Sequence, residues 1–486
     1  MIGTPSDCSG SPRICSRCGK ETNSILCDKD GIKTFSLAGP AGIFTKKLRD
    51  SGRLEGTEFF SVTKFGYDLR MDLEKLSNPR RFFNELETYY SALEEAVSPK
   101  IIVFSKDHRF GHDKIQKSFE LYLAGSDVES AVVDKFISTT VSCYIGGMIS
   151  FKEKKDVLAL HATASHNPSN YNGVKSFFGT STDNVFADGP DMAEKLSGDE
   201  VITSFVNWCS QFPSYDGEVT FDLMNGAGCF SFPQIVSKYP RAKLLNTHPS
   251  PDFGGLTPEP LRTTDWKGFG FAFDGDADRS TMYHGGKQVF FSRFLAGMVK
   301  EGFFDEKKVI VDQRTPPSVI EFLKSFGLKT IMGCIGNTLQ AELSRKHNAL
   351  WFEENWHNGG YRVGGGSFFW GVAPFSVAFW LGRMKAPIEK VLDGVPDFQY
   401  TEERFKVSPG FNEKVIDCAE AKGIEHSRIS EYCQGGIRIE DNQGHMLMRE
   451  SNTEIGTVKL IVTGIDRPSI DKKLKLGREL VSAVER

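Results

Sequence analysis

The chain has 486 residues, a formal net charge of −4 and 39% hydrophobic residues, which is the composition of an ordinary globular protein. This length exceeds what one hydrophobic core usually supports, so we expect two to four domains. The near-neutral charge argues against nucleic acid or a membrane surface as the partner, but it permits a local basic pocket for phosphate.

Targeting signals and cysteines bear on where the chain works. No apolar run reaches the roughly 18 residues of a membrane-spanning helix, and the N-terminus has no charged region followed by an apolar core. We therefore expect a cytoplasmic protein whose ten cysteines are reduced. Four of them fall in the extension 1–61, in which Cys15 and Cys18 form one CxxC pair with Cys8 and Cys27 as poor partners. Zinc and a flexible polar extension both remain open for this segment.

From residue 62 onward, apolar strands alternate with segments of helical periodicity. This alternation predicts an α/β fold with largely parallel or mixed sheets. The clearest predicted elements are a helix over 80–97, the strands 100–105, 157–160, 218–222, 268–273 and 308–312, a helix over 317–326, a strand pair around 436–449, and a strand at 458–462 before a closing helix.

The stretch His161–Pro168 follows the buried strand 157–160. The Asn167-Pro168 pair forces a turn, because the residue before a proline is disfavoured in helical geometry. Ser165 should therefore lie on a tight turn with its hydroxyl presented outward and with only small neighbours before it. A loop of this composition can also merely cap a helix.

The stretch Asp274–Arg279 places three carboxylates at alternate positions after a strand. Asp274, Asp276 and Asp278 can converge on one hard cation, which oxygen ligands suit. An EF-hand would need glycine and glutamate where Arg279 and Gly285 stand, so that interpretation fails. A solvated acidic turn is the other alternative, but three aligned carboxylates repel one another without a cation.

Two later loops carry polar side chains. Arg449 to Glu454 combines an arginine, two hydroxyl side chains and turn backbone, which is typical of a phosphate cradle. Trp351 to Gly360 combines hydrogen-bonding groups with an aromatic ring, which suits a sugar. Each loop alone is also compatible with an ordinary surface turn.

Taken together, Thr-Ala-Ser-His-Asn-Pro, Tyr-Asn-Gly-x-Lys, Asp-Gly-Asp-Ala-Asp-Arg and Arg-x-Ser-Asn-Thr-Glu, in this order, resemble the α-D-phosphohexomutase superfamily from about residue 62 to the end. The resemblance implies a heart-shaped α/β protein of four domains, three related α/β domains with mixed sheets and a C-terminal α+β domain. The expected boundaries are 62–197 with the phosphoserine loop, 198–300 with the metal loop, 301–395 with the sugar loop and 396–486 with the phosphate loop.

The same resemblance implies a role for each matched residue. Ser165 would carry a phosphoryl group, and Asp274, Asp276 and Asp278 would bind Mg²⁺ together with an oxygen on phosphorylated Ser165. The other catalytic candidates are Lys175 as general acid/base, Arg70, Arg279 and His166. The substrate-binding candidates are Glu353, Asn355, His357, Asn337, Arg449, Ser451, Asn452 and Thr453.

The implied reaction interconverts hexose 1-phosphate and hexose 6-phosphate through a hexose 1,6-bisphosphate. The sequence favours mannose or glucose, with glucosamine or N-acetylglucosamine phosphate and a non-catalytic sugar-phosphate-binding protein as alternatives. The expected partners are small sugar phosphates, without nucleic acid or membrane, for a monomer or homodimer. Trp356 stands where the family has a small residue, so we expect it to narrow or reshape the sugar pocket.

Overall fold

The structure is a computed structural model that describes residues 13–14, 21–22, 61–62, 68–73, 79–179, 189–260, 267–363, 366–368, 371–429, 435–451 and 456–485. The chain forms two compact units. Unit 1 comprises residues 1–289, 341–350 and 355–385, and unit 2 comprises residues 290–340, 351–354 and 386–486. The expected division into four domains remains a prediction.

A mixed seven-stranded sheet forms the first part of unit 1. Its strands, in spatial order, are Ser61–Val62, Asp68–Asp72, Tyr171–Gly179, Val157–Ala162, Ile101–Lys106, Glu129–Phe136 and Lys195–Leu196. The central strand Ile101–Lys106 is parallel to both of its neighbours. Its apolar residues are buried, as expected for a strand covered on both faces. The helices of this part are Pro79–Val97, His112–Leu123, Thr139–Glu153 and Gly198–Cys209.

A second mixed sheet in unit 1 carries the acidic stretch. Its spatial order is Ala242–Leu245, Val219–Asp222, Phe269–Phe273, Ser280–His284 and Lys287–Val289. Every residue of Phe269–Phe273 is buried, so this strand is a rigid support for the loop that follows it. Smaller elements of unit 1 are the strands Arg13–Ile14, Glu21–Thr22, Asn358–Gly359, Tyr361–Val363 and Gly366–Phe368, and the helices Ala227–Phe230, Phe232–Val236, Phe253–Gly255 and Ala373–Arg383.

Unit 2 contains a five-stranded antiparallel sheet near its C-terminus. In spatial order the strands are Gln399–Lys406, Thr457–Gly464, Gly444–Glu450, Ile437–Asp441 and Ser427–Arg428. The helices Phe411–Ala421 and Arg467–Val484 supply apolar side chains to the same core as this sheet. The other elements of unit 2 are the strands Lys308–Val311 and Lys329–Met332 and the helices Phe291–Lys300, Pro317–Ser325 and Ile388–Leu392. The helix Asn337–His347 and the strand Leu350–Phe352 have residues in both units.

These elements confirm the predicted mixed α/β class. The prediction that all cysteines are reduced is wrong at Cys334, which is disulfide-bonded, whereas Cys143, Cys209, Cys229 and Cys418 are free. Cys8, Cys15, Cys18 and Cys27 lie outside the described residues. Among the helices that are described, none is both long and apolar enough to cross a membrane.

Candidate active site

The predicted phosphoserine loop follows the buried strand Val157–Ala162. Ser165 is 3% exposed and has a backbone φ of 53°, in the left-handed region that non-glycine residues rarely adopt. Its amide donates to the hydroxyl of Thr163 at 3.1 Å. Strained conformations of this kind occur preferentially at functional sites, because the surrounding structure must enforce them.

The hydroxyl of Ser165 meets the acidic stretch. Its Oγ donates to Asp274 Oδ2 at 3.1 Å and accepts from Arg279 Nη2 at 3.3 Å. Arg279 also donates to Asp274 Oδ2 through Nε at 3.0 Å and Nη2 at 2.9 Å. His166 Nδ1 lies 3.4 Å from the same hydroxyl. Ser165 is therefore placed between a carboxylate and a guanidinium.

The three aspartates of the acidic stretch converge as predicted. Asp274, Asp276 and Asp278 are buried, and one carboxylate oxygen from each lies within 4.8 Å of the others. Within the described part of the chain, no group donates a hydrogen bond to Asp276 Oδ1 or Asp278 Oδ1. Buried carboxylate oxygens without donors are costly unless a cation satisfies them. The donor set therefore fits a hard divalent cation such as Mg²⁺.

Lys175 lies against two of these carboxylates. Its Nζ donates to Asp276 Oδ2 at 2.7 Å and to Asp278 Oδ2 at 2.6 Å. Burial alone would raise the pKa of Asp278, but the charges of Lys175, His357 and Arg279 together outweigh it and hold this pKa well below its usual range. Burial and the two neighbouring carboxylates raise the pKa of Asp274 well above its ordinary value. The site thus contains carboxyl groups with opposite pKa shifts.

Two more arginines lie beside the phosphoserine loop. Arg70, on the strand Asp68–Asp72, donates to the carbonyl of Ala164 and, at 3.0 Å, to Asn167 Oδ1. Arg109, which the sequence reasoning missed, is fully buried and donates to the Ser165 carbonyl. One signal could have found it, because it follows a strand parallel to the one that leads to Ser165, and parallel strands end at the same sheet edge.

The position of Trp356 differs from the expectation that this residue lies at the sugar pocket. Its ring is fully buried, donates through Nε1 to the Val289 carbonyl at 2.8 Å, and packs edge-on against Phe271 with the ring centres 5.1 Å apart. The prediction that the Trp356 ring narrows a sugar pocket is therefore wrong, since this side chain belongs to the core of unit 1, whereas the alternative that Trp356 reshapes the pocket stays a prediction. Its neighbour His357 is buried, and its charge contributes to the low pKa of Asp278. Asn355 is partly buried.

Unit 2 holds the remaining predicted site residues. Glu353 Oε1 accepts from the Gly336 amide at 2.6 Å, and its Oε2 accepts from Arg314 Nη2 at 3.3 Å. Arg449 is buried, and burial together with the charge of Arg314 lowers its pKa to about 10. Two guanidinium groups, one of which lowers the pKa of the other, are candidates for binding an anion.

Arg314 is a second cation that the sequence reasoning missed. Ser451 is buried, and its amide donates to the Thr457 carbonyl at 2.7 Å. Asn452, Thr453 and the side chain of Asn337 lie outside the described residues.

The chain is similar in sequence to several known proteins. The family described as phosphoglucomutase/phosphomannomutase, alpha/beta/alpha domain I, matches residues 64–183. A phosphoglucosamine mutase of Methanococcus maripaludis strain C7 is 24% identical over 426 residues, which cover 76% of this chain and 93% of the relative. A probable phosphoglucosamine mutase of Methanopyrus kandleri is 23% identical over 451 residues, with 81% and 92% covered.

Solved structures share the fold. A phosphoglucomutase/phosphomannomutase family protein of Burkholderia thailandensis gives a TM-score of 0.68 at 19% identity, covering 86% of this chain and 96% of that protein. The Aspergillus fumigatus N-acetylphosphoglucosamine mutase in complex with GlcNAc-6P and magnesium gives 0.56 at 13% identity, with 94% and 95% covered. Residues 64–183 are thus similar to a phosphoglucomutase/phosphomannomutase domain, and most of the chain is similar to proteins named phosphoglucosamine mutase.

Proposed function

We propose that the chain is a Mg²⁺-dependent phosphoglucosamine mutase, which interconverts glucosamine 1-phosphate and glucosamine 6-phosphate. The observation that carries the proposal is the Ser165 hydroxyl, held 3.1 Å from Asp274 and 3.3 Å from Arg279 within a buried acidic triad. A phosphoryl carrier needs in-line access and charge neutralisation more than covalent help from the protein.

In the proposed reaction, the phosphorylated Ser165 transfers its phosphoryl group to a hydroxyl of the sugar phosphate. The bond between Ser165 Oγ and phosphorus breaks, the bond between the sugar oxygen and phosphorus forms, and the hydroxyl proton passes to a general base. After Ser165 Oγ has taken up a proton, the hexose 1,6-bisphosphate reorients in the site. The bond between its other phosphorus and the sugar oxygen then breaks, a bond from that phosphorus to Ser165 Oγ forms, a general base takes the Oγ proton, and the sugar oxygen takes up a proton.

The chain's own residues have distinct roles in this proposal. Arg279 stabilises the charge that develops on Ser165 Oγ, since its Nη2 already donates to that atom. Lys175 is the candidate general acid/base. Arg70 donates to the backbone of the loop, and His166 lies within the loop beside the Ser165 hydroxyl. Asp274, Asp276 and Asp278 would hold Mg²⁺, which when bound neutralises charge on the phosphoryl oxygens.

The sugar assignment rests on the relatives. The sequence alone favoured mannose or glucose, but relatives from Methanococcus maripaludis and Methanopyrus kandleri carry the name phosphoglucosamine mutase. We therefore propose the alternative that the sequence had left open. The proposed ligands of the sugar hydroxyls are Glu353, Asn355, His357 and Asn337. The phosphate that is not transferred is proposed to bind to Arg449, Ser451, Asn452 and Thr453.

A mutase assay tests the proposal. It contains Mg²⁺, a catalytic amount of hexose 1,6-bisphosphate, and the 1-phosphates of glucosamine, N-acetylglucosamine, glucose and mannose side by side. We expect the highest kcat/KM with glucosamine 1-phosphate and loss of turnover in Ser165→Ala. A preference for another sugar would reassign the substrate. Full activity of Ser165→Ala would overturn the phosphoserine mechanism, and binding without turnover would favour a non-catalytic role.

A further inference from the structure

A buried ion pair lies directly beneath the phosphoserine loop. Asp107 and Arg109 are both 0% exposed, and Arg109 Nε lies 3.5 Å from Asp107 Oδ2. The Arg109 amide also donates to Asp107 Oδ1 at 3.0 Å. Burying two charges costs several kcal/mol per ion unless their geometry and hydrogen bonds compensate. Neither side chain has a part in the proposed phosphoryl transfer, so the pair needs another explanation.

Arg109 holds the loop at three points. Its Nη1 donates to the carbonyls of Pro168 at 3.0 Å and Tyr171 at 3.2 Å, and its Nη2 donates to the carbonyl of Ser165. Its guanidinium lies 4.6 Å from the ring centre of Phe253. A planar guanidinium with several fixed donors is suited to joining backbone groups in this way. The two ends of the Ser165–Tyr171 turn are therefore fixed to one side chain.

Asp107 is also linked to Ser165 by hydrogen bonds through Thr163. Its Oδ2 accepts from the hydroxyl of Thr163 at 2.6 Å, and that hydroxyl accepts from the Ser165 amide at 3.1 Å. The Thr163 hydroxyl thus donates to Asp107 and accepts from Ser165 at the same time. Among the side chains of similar size, only serine can replace it in both roles.

We propose that Asp107, Arg109 and Thr163 are positioning residues that hold Ser165 in its left-handed conformation, with Oγ directed at Asp274 and Arg279. The inference rests on the proposed role of Ser165 as phosphoryl carrier. A φ of 53° at a serine costs of the order of 1 kcal/mol, so the turn relaxes unless its carbonyl and its amide are both held. Because these residues set where Oγ lies and do not contact the sugar in this proposal, their loss lowers kcat and leaves KM nearly unchanged.

The test compares Thr163→Val with Thr163→Ser. The valine keeps the shape but removes the hydroxyl, whereas the serine keeps the hydroxyl. We expect Thr163→Val to lower kcat by about 10- to 100-fold, since misplacement by about 1 Å can cost this much, and Thr163→Ser to recover most of the loss. Thr88→Val is the matched control, because that hydroxyl donates to the Asn84 carbonyl within its own helix.

Hydrogen exchange supplies a readout that does not depend on turnover. In Thr163→Val we expect the amide of Ser165 to exchange at least 10-fold faster than in the wild type and in Thr163→Ser. If the wild type has no mutase activity, the proposed function fails, while the exchange rates still test the positioning network. Should Thr163→Val not fold, Thr163→Ala takes its place. Wild-type kcat together with wild-type exchange in a folded variant without the hydroxyl would overturn the inference.

Discussion

The hydroxyl oxygen of Ser165 lies 3.1 Å from Oδ2 of Asp274, a residue 109 positions later in the chain. Each residue follows a buried strand of its own sheet in unit 1. The two loops approach through backbone atoms at Gly275. A Cβ placed there would lie 2.6 Å from the Ser165 carbonyl oxygen. The contact between the Ser165 hydroxyl and the acidic triad therefore depends on the absence of a side chain at Gly275.

Gly275→Ala should separate the two loops. The added methyl group has to displace backbone, because its nearest neighbour is a carbonyl oxygen rather than the end of a flexible side chain. We expect kcat in the mutase assay to fall by at least about 10-fold. Gly268→Ala is the control, since a Cβ there meets no described atom within 4 Å. Equal kcat for the two variants would show that the loop contact is not needed.

Lys175→Met should make stability depend on metal. Lys175 is 2% exposed and is paired with both Asp276 and Asp278, so its loss leaves two buried carboxylates without their lysine partner. Breaking a buried pair in this way costs about 3–5 kcal/mol. We expect a lower Tm without Mg²⁺, and a rise in Tm on adding Mg²⁺ that is larger than in the wild type. Lys155→Met, which removes an exposed pair with Glu129, is the control. A Tm of the variant that does not change on addition of Mg²⁺ would argue against a metal at the triad.

Much of this site could be predicted from the sequence. The buried runs before Ser165 and Asp274 are local patterns, and the alternating aspartates show their chemistry without any tertiary information. The contact between Ser165 and Asp274 could not be derived from those patterns, because the two residues follow strands of different sheets. It was predicted only through the resemblance to a known family.

The residues that were missed depend on distant packing. Arg109 is a charged residue in a loop, and nothing local shows that it is fully buried against three carbonyls. Trp356 was assigned to a pocket because it departs from a family pattern. Its actual position is set by Val289 and Phe271, which are remote in sequence.

Trp356→Phe tests this core assignment. The change removes the hydrogen bond to the Val289 carbonyl and part of the packing against Phe271. We expect the free energy of unfolding to fall by about 1–3 kcal/mol and KM for the sugar phosphate to stay within about twofold. Phe326→Leu, at a side chain that is 47% exposed, is the control for stability. A large change in KM at unchanged stability would restore the pocket interpretation.

Glu354 is the buried carboxylate that should make stability depend on pH. Its Oε2 accepts from the Ser292 amide at 3.2 Å, in the first turn of the helix Phe291–Lys300, and its Oε1 accepts from the Thr315 hydroxyl at 2.6 Å. Burial, followed by the charge of Asp312, raises the pKa of Glu354 to about 7. In the unfolded chain the pKa of a glutamate is about 4.3.

Between these two pKa values the folded state binds more protons than the unfolded state, so stability is highest below about pH 4 and falls as the pH rises to about 7. Glu354→Gln keeps an acceptor oxygen but cannot ionise. Between pH 4 and pH 8 we expect the wild type to lose up to about 3 kcal/mol of unfolding free energy relative to this variant. Urea denaturation at each pH measures the difference, with Glu321→Gln as the control because its side chain is 71% exposed. Parallel pH profiles for wild type and Glu354→Gln would show that the Glu354 carboxyl group titrates alike in the folded and unfolded states.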